Sequence, residues 1–302
     1  IGTDPSTWDD LAIGSGSCGM CRACFLILTH RVRRDPRRHL LYDNVERFWK
    51  EAGLWLQGKG RYAYTRKASR HRTLGLGIDR SDSLLFEGVT GHARTLVPMF
   101  ADGATNPDGR HLVLLTKTAN VHFLERLPTD NVIVSMSLNG QAVADVWENE
   151  WPDGQRVTRG IAERVRALVE AQNMGFEVRV RLDPLLPIVG WRDVYSNFVA
   201  SVAAAGLQPR MVTLGSYRQK NAQLFAWARR WGLPALEWEP ADLVSDGTHE
   251  HLSFDLRVTL YQALLTMCRE AWPSVEVGLC KETHQVRRAL GLVRARCNCL
   301  AV

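Results

Sequence analysis

The sequence has no long apolar run and very little lysine. Across 302 residues nothing reaches the roughly 18 to 20 consecutive apolar residues of a spanning helix, so no membrane association is expected. The opening residues, IGTDPSTWDD, lack the basic and apolar regions of a secretory signal, and the expectation is a cytoplasmic chain. Six lysines stand against 32 arginines, and arginine forks suit phosphate and carboxylate. The densest basic runs are residues 30–39 (HRVRRDPRRH) and 66–72 (RKASRHR). Such runs fit a nucleic-acid backbone, an acidic electron donor or a solvated loop, and charge alone does not choose among them.

Cysteine is scarce and clustered. Of the seven, three lie at positions 18, 21 and 24, and Cys268, Cys280, Cys297 and Cys299 fall in the last 35 residues. An odd count with a C-x2-C-x2-C run, in a chain without secretory features, argues against a disulfide framework and for metal or redox chemistry. An apolar fraction of 45% is enough for a sizeable core.

Short β-branched runs alternate with amphipathic stretches, the pattern of repeated βα units. Strands are expected at 11–14, 73–77, 111–116, 132–138, 176–182, 210–214 and 275–279. Helices are expected at 43–57, 88–101, 120–126, 158–173, 191–205, 219–231 and 254–271. The helix at 158–173 has Thr158 as its expected cap and Gly175 just past its end. The predicted fold is α/β, a full or partial (β/α) TIM-type barrel over residues 1–279. Residues 280–302 form a short cysteine-containing extension that closes the barrel mouth and is a candidate metal-binding segment.

In such barrels the active site lies at the carboxyl ends of the strands. The cysteine triplet follows the first expected strand, and Asp79, Ser81 and Asp82 follow the second. Lys117 follows the third, Ser135, Ser137 and Asn139 end the fourth, and Asp183 ends the fifth. Ser216 follows the sixth and Cys280 the seventh. A lysine here suits a carboxylate, and the hydroxyls suit ribose or carboxylate. Three thiolates at Cys18, Cys21 and Cys24 hold three irons of a [4Fe–4S] cube and leave the fourth open to a ligand. The rival is structural zinc, for which His30 is the only nearby fourth ligand.

Phe25 after the last cysteine, the position after a first strand and the barrel pattern resemble radical S-adenosylmethionine (SAM) enzymes. The usual motif of that family is C-x3-C-x2-C, one residue longer in the first gap. The segments GIDRSDSLLFEGVTGH, LLTKTANVHFLERL, VSMSLN, LDPLLPIVGWRDVY and LSFDL resemble, in order, successive blocks of the spore photoproduct lyase branch.

The resemblance implies a [4Fe–4S] cluster that binds SAM and cleaves it reductively to a 5′-deoxyadenosyl radical. It also implies a low-potential donor of the flavodoxin or ferredoxin type. Ser81, Lys117 and Ser137 would contact SAM, with Lys117 on its carboxylate. Phe25, Asp82, Ser135 and Asn139 complete the candidate cofactor set. Asp79 stands where the lyases carry their hydrogen-donating cysteine, and Ala23 and Phe25 replace their flanking tyrosines. The implied substrate therefore differs from theirs, and nucleic acid, peptide and small metabolite all stay open.

Cys280, Cys297 and Cys299 form C-x16-C-x-C. This spacing is open to a second iron–sulfur cluster, to a hydrogen-donating or redox thiol at Cys280, or to plain structural thiols. Cys268 sits in an apolar helical stripe and reads as core. Cys280, Asp79 and Asp183 are the catalytic candidates. The alternative to an enzyme is a non-catalytic iron–sulfur or zinc protein that binds nucleic acid.

Overall fold

The computed structural model describes residues 2–3, 8–16, 39–66, 73–78, 80–148, 159–219, 221–230, 243–247, 249–293 and 297. Cys18, Cys21, Cys24, Phe25, Asp79 and Cys299 lie outside them. In chain order the strands are β1 (Gly2–Thr3), β2 (Trp8–Leu11), β3 (Gly14–Gly16), β4 (His39–Leu41), β5 (Thr73–Leu76), β6 (His111–Thr116) and β7 (Val132–Ser137). They continue as β8 (Glu177–Leu185), β9 (Met211–Ser216), β10 (Arg218–Gln219), β11 (Leu243–Ser245), β12 (Glu250–Leu252) and β13 (Glu276–Leu279). The helices are α1 (Val45–Leu56), α2 (Glu87–Thr90), α3 (His92–Ala101), α4 (Gln141–Trp147), α5 (Ile161–Asn173), α6 (Trp191–Ala204), α7 (Asn221–Arg230), α8 (Phe254–Ala271) and α9 (His284–Ala289).

The main sheet runs β1-β2-β5-β6-β7-β8-β9-β13. The pair β1–β2 is antiparallel and every other neighbouring pair is parallel. Among the described residues β13 makes no pairing with β1 or β2, so the barrel is partial. Side-chain alternation divides the sheet into two faces. Leu74, Leu76, Leu112, Leu114, Val132, Val134, Met136, Val178, Val180, Val212, Leu214 and Leu279 join the apolar core shared with the helices. The opposite set, Ser135, Ser137, Arg179, Arg181, Asp183, Thr213, Gly215 and Cys280, lines the concave face. Ser137 pairs in register with Arg181, and Arg181 with Thr213, so this polar row crosses three strands.

Several expected elements need correction. The first strand is Trp8–Leu11 rather than 11–14, because Asp9 is fully buried there and accepts from Trp55 Nε1 at 2.7 Å. Residues 14–16 pair instead with His39–Leu41, and a Cβ on Gly14 would stand 2.6 Å from the Leu40 carbonyl oxygen. The expected helix 88–101 is two, broken at Gly91, where the Glu87 carboxylate accepts from the N–H groups of Ala93 and Arg94 at 2.8 and 3.0 Å. The expected helix 120–126 is a 3-10 turn, Asn120–Leu124. Helix α5 starts at Ile161, and the Gly160 N–H donates to Glu163 at 3.1 Å. The expected cap Thr158 lies outside the described residues.

Among the described residues no helix is long and apolar enough to cross a membrane. Cys268 is fully buried on α8, as its stripe predicts, and burial pushes its thiol up to about 12.

Candidate active site at the carboxyl rim of the sheet

The chain leaves the described residues after β3 and returns at β4, and these two strands pair with each other. The segment that carries Cys18, Cys21 and Cys24 is thus tethered at both ends to one place. His39, the first described residue after it, has Nε2 at 3.0 Å from Ser81 Oγ, beyond the end of β5. A predicted cofactor hydroxyl and the foot of the cysteine segment are therefore in contact.

Asp82, a cofactor-set candidate, is bonded within its own chain. One carboxylate oxygen accepts from the N–H groups of Leu84 and Leu85, each at 2.9 Å, and from Thr116 Oγ1 at 2.8 Å. The other accepts from the Lys117 N–H at 2.7 Å. Both oxygens are engaged in fastening the turn after β5 to the end of β6, so Asp82 shapes the rim. Burial pushes its carboxyl above the ordinary value, against the pull of these donors.

Lys117 and Ser137 are brought together by two residues that sequence reasoning did not single out. Lys117 Nζ is bonded to Glu148, whose other oxygen takes Arg164 Nη2 at 2.5 Å. Arg164 Nη1 donates to the Ser137 carbonyl at 2.9 Å. Burial alone would raise the Glu148 carboxyl, but the Lys117 and Arg164 charges and their hydrogen bonds outweigh it and hold the group below its ordinary value. Ser135 is fully buried within β7. Asn139 donates to the Pro184 carbonyl at 2.8 Å and accepts from the Gly140 N–H at 3.1 Å, tying the end of β7 to β8.

A second cluster stands further along the same face. Arg181 Nη2 donates to Asp183 at 2.6 Å and lies 3.0 Å from Cys280 Sγ. Cys280 also hydrogen-bonds Cys297, and this bond, followed by burial, pushes its thiol well above the ordinary value. Cys297 packs against Ile78 and Leu115, at the ends of β5 and β6. The structure thus joins Asp183, Cys280 and Cys297. Among the described residues no group of three His, Cys, Asp or Glu side chains is arranged to hold a metal ion.

A Cβ on Gly215 would lie 2.6 Å from the Asp183 carboxyl carbon. Gly215→Ala is expected to displace Asp183 from Arg181 and cost about 1–3 kcal/mol, read as a lower urea midpoint. An unchanged midpoint would mean that Asp183 has room to spare.

The turn after β13 is fixed from below. Glu282 accepts from Ser216 Oγ at 2.9 Å and from Tyr261 Oη and Arg257 Nη1 at 2.8 Å each, anchoring the Cys280 turn to α8.

No protein-family model matches the sequence. No curated protein matches it either. Solved structures do. Spore photoproduct lyase complexed with dinucleoside spore photoproduct superposes with a TM-score of 0.71 at 17% identity, covering 92% of this chain and 78% of that one. The chain has the fold of spore photoproduct lyase. A doubly substituted form of spore photoproduct lyase, with bound AdoMet and dinucleoside spore photoproduct, superposes at 0.70 with 16% identity over 91% of this chain and 77% of that one. The partial barrel with its parallel strands, expected from the sequence, is therefore an architecture that spore photoproduct lyase shares.

Arg164 and Arg181 each carried a signal. Arg181 and Asp183 alternate on a strand whose neighbours are apolar, where a charge needs a partner. Arg164 sits within the apolar stripe of α5. Glu148, in the run WENEW, has no such mark.

Proposed function

We propose that this chain is a radical SAM enzyme that removes hydrogen from a substrate C–H bond, related to spore photoproduct lyase but acting on another substrate. The observation that carries the reading is the contact between His39, at the foot of the cysteine segment, and Ser81, at the rim that also presents Lys117 and Ser137. The donor set suits the cofactor: an ammonium for its carboxylate, and hydroxyls for its carboxylate or ribose. Cys18, Cys21 and Cys24 would hold a [4Fe–4S] cluster, which would supply the electron for reductive cleavage of SAM and so for hydrogen abstraction from the substrate.

The chain's own residues divide the remaining work. Lys117 and Ser137 bind and orient, with Ser81, Ser135 and Asn139 beside them, and Phe25 joins the cofactor set by the family resemblance. Asp183 is held by Arg181 at the substrate side. Cys280 keeps its proton at neutral pH, as its raised thiol implies, and a protonated thiol is the form that gives up a hydrogen atom. Asp79 is the third catalytic candidate. The segment after Leu279 closes the mouth, a reading supported by the packing of Cys297 on Ile78 and Leu115. A flavodoxin- or ferredoxin-type protein is the electron donor. A nucleic-acid substrate is favoured over a peptide or metabolite by the arginine-rich runs at 30–39 and 66–72 and by the dinucleoside bound to the structural relatives.

The test is anaerobic reconstitution with iron and sulfide, then incubation with SAM and dithionite. The expected product is 5′-deoxyadenosine, with a SAM-dependent change in the cluster's paramagnetic signal. If neither appears, the chain is not a radical SAM enzyme.

A further inference from the structure

The partner of Lys117 deserves its own function. Glu148 follows the last turn of α4, and its side chain is 4% exposed against 16% for Lys117 and 2% for Arg164. A lysine ammonium on a four-carbon stem carries much rotamer entropy, so an unguided Lys117 would be a poor receptor for one fixed carboxylate. Among the described residues the stem is led to Glu148. Glu148 takes one of the three ammonium donors, and the rigid Arg164 fork holds Glu148 in turn, while its other arm is fastened to the Ser137 carbonyl. The chain Lys117, Glu148, Arg164, Ser137 therefore links the ends of β6 and β7 through buried charges that solvent does not screen.

We propose that Glu148 is a positioning residue which sets Lys117 for the carboxylate of an amino-acid-type ligand, and that Arg164 holds Glu148 for that purpose. This rests on the SAM reading. Glu148 touches no ligand itself. Its effect is confined to the interaction that Lys117 makes, so it controls preference for a ligand with a carboxylate over the same ligand without one.

The experiment compares SAM with decarboxylated SAM, which keeps the adenosine and the sulfonium. Affinities for both are measured by equilibrium dialysis on the anaerobically reconstituted holoprotein, for wild type, Lys117→Ala and Glu148→Gln. Wild type is expected to prefer SAM by about tenfold or more, the scale of one charge-assisted contact. In Glu148→Gln that preference is expected to fall about fivefold, toward the Lys117→Ala value, while affinity for the decarboxylated ligand stays within about twofold.

A wild-type preference retained in Glu148→Gln overturns the proposal, and so does an equal loss of both affinities, the mark of a merely structural role. If Glu148→Gln does not fold, Glu148→Asp, one methylene shorter with the charge kept, is judged by the same ratio. Wild type binding neither ligand overturns the SAM reading and this inference with it. Binding with an unmoved ratio overturns this inference alone.

Discussion

Replacing Cys18, Cys21 and Cys24 together by alanine is expected to lower 5′-deoxyadenosine formation by at least ~100-fold, about 2.7 kcal/mol of barrier. The reason is chemical. Thiolates are the ligands that hold cluster iron, and the three positions lie within seven residues of one segment, which follows β3 and precedes its partner strand β4. The contacts proposed for Lys117 and Ser137 do not need these thiolates, but without a cluster no electron would reach a bound cofactor. Iron and sulfide analysis of the same variant reads the second cysteine group at once. A variant that keeps about half of the wild-type iron holds another cluster, with Cys280, Cys297 and Cys299 as its candidate ligands. A folded variant with none leaves them as thiols. Wild-type iron together with wild-type product would sink the cluster assignment.

What the sequence made legible, and what it hid, follows from how each residue meets its neighbours. Strands such as Val132–Ser137 are apolar runs between turn residues, and their burial on both faces makes the run continuous. The serines within it marked the concave face, because a hydroxyl has no place against the helices. The first strand was hidden by its acidic residues: Asp9 is buried there because Trp55, 46 residues away, donates a hydrogen bond to it. Periodicity does not carry that kind of pairing. The same limit applies to Glu148: its role depends on Lys117 and Arg164, which come from other elements. Asp82 was noticed for its position, but its four donors were hidden, since a loop acidic residue looks the same whether it faces a ligand or donors of its own chain.

Replacing Asp82 by alanine is expected to cost about 3–5 kcal/mol of stability, read as a lower urea midpoint with unchanged slope. The estimate follows from the donors left behind. The N–H groups of Leu84, Leu85 and Lys117 lose their acceptor in a site that is 4% exposed, while the hydroxyl of Thr116 still has Thr118 Oγ1 at 2.8 Å. Each unmet buried donor costs about 1–3 kcal/mol, partly recovered by relaxation and entering water. Asp82→Asn keeps one oxygen but turns an amide donor toward other donors, so an intermediate loss is expected.

The pH dependence separates charge from geometry. Because burial raises the folded-state value of Asp82 above the unfolded one, its contribution is fully present below the unfolded value of about 3.9 and is lost as pH rises through the folded value. Wild type should therefore lose stability over that interval, and Asp82→Asn should lack this component of the loss. Glu148 acts with the opposite sign. Its folded value is lowered, so its contribution is present above the unfolded value and is lost as pH falls through the folded one. An alanine variant at Asp82 with a wild-type midpoint would mean that the turn after β5 is held by something other than this carboxylate. Ser81, one residue before it, would then have no fixed relation to Lys117.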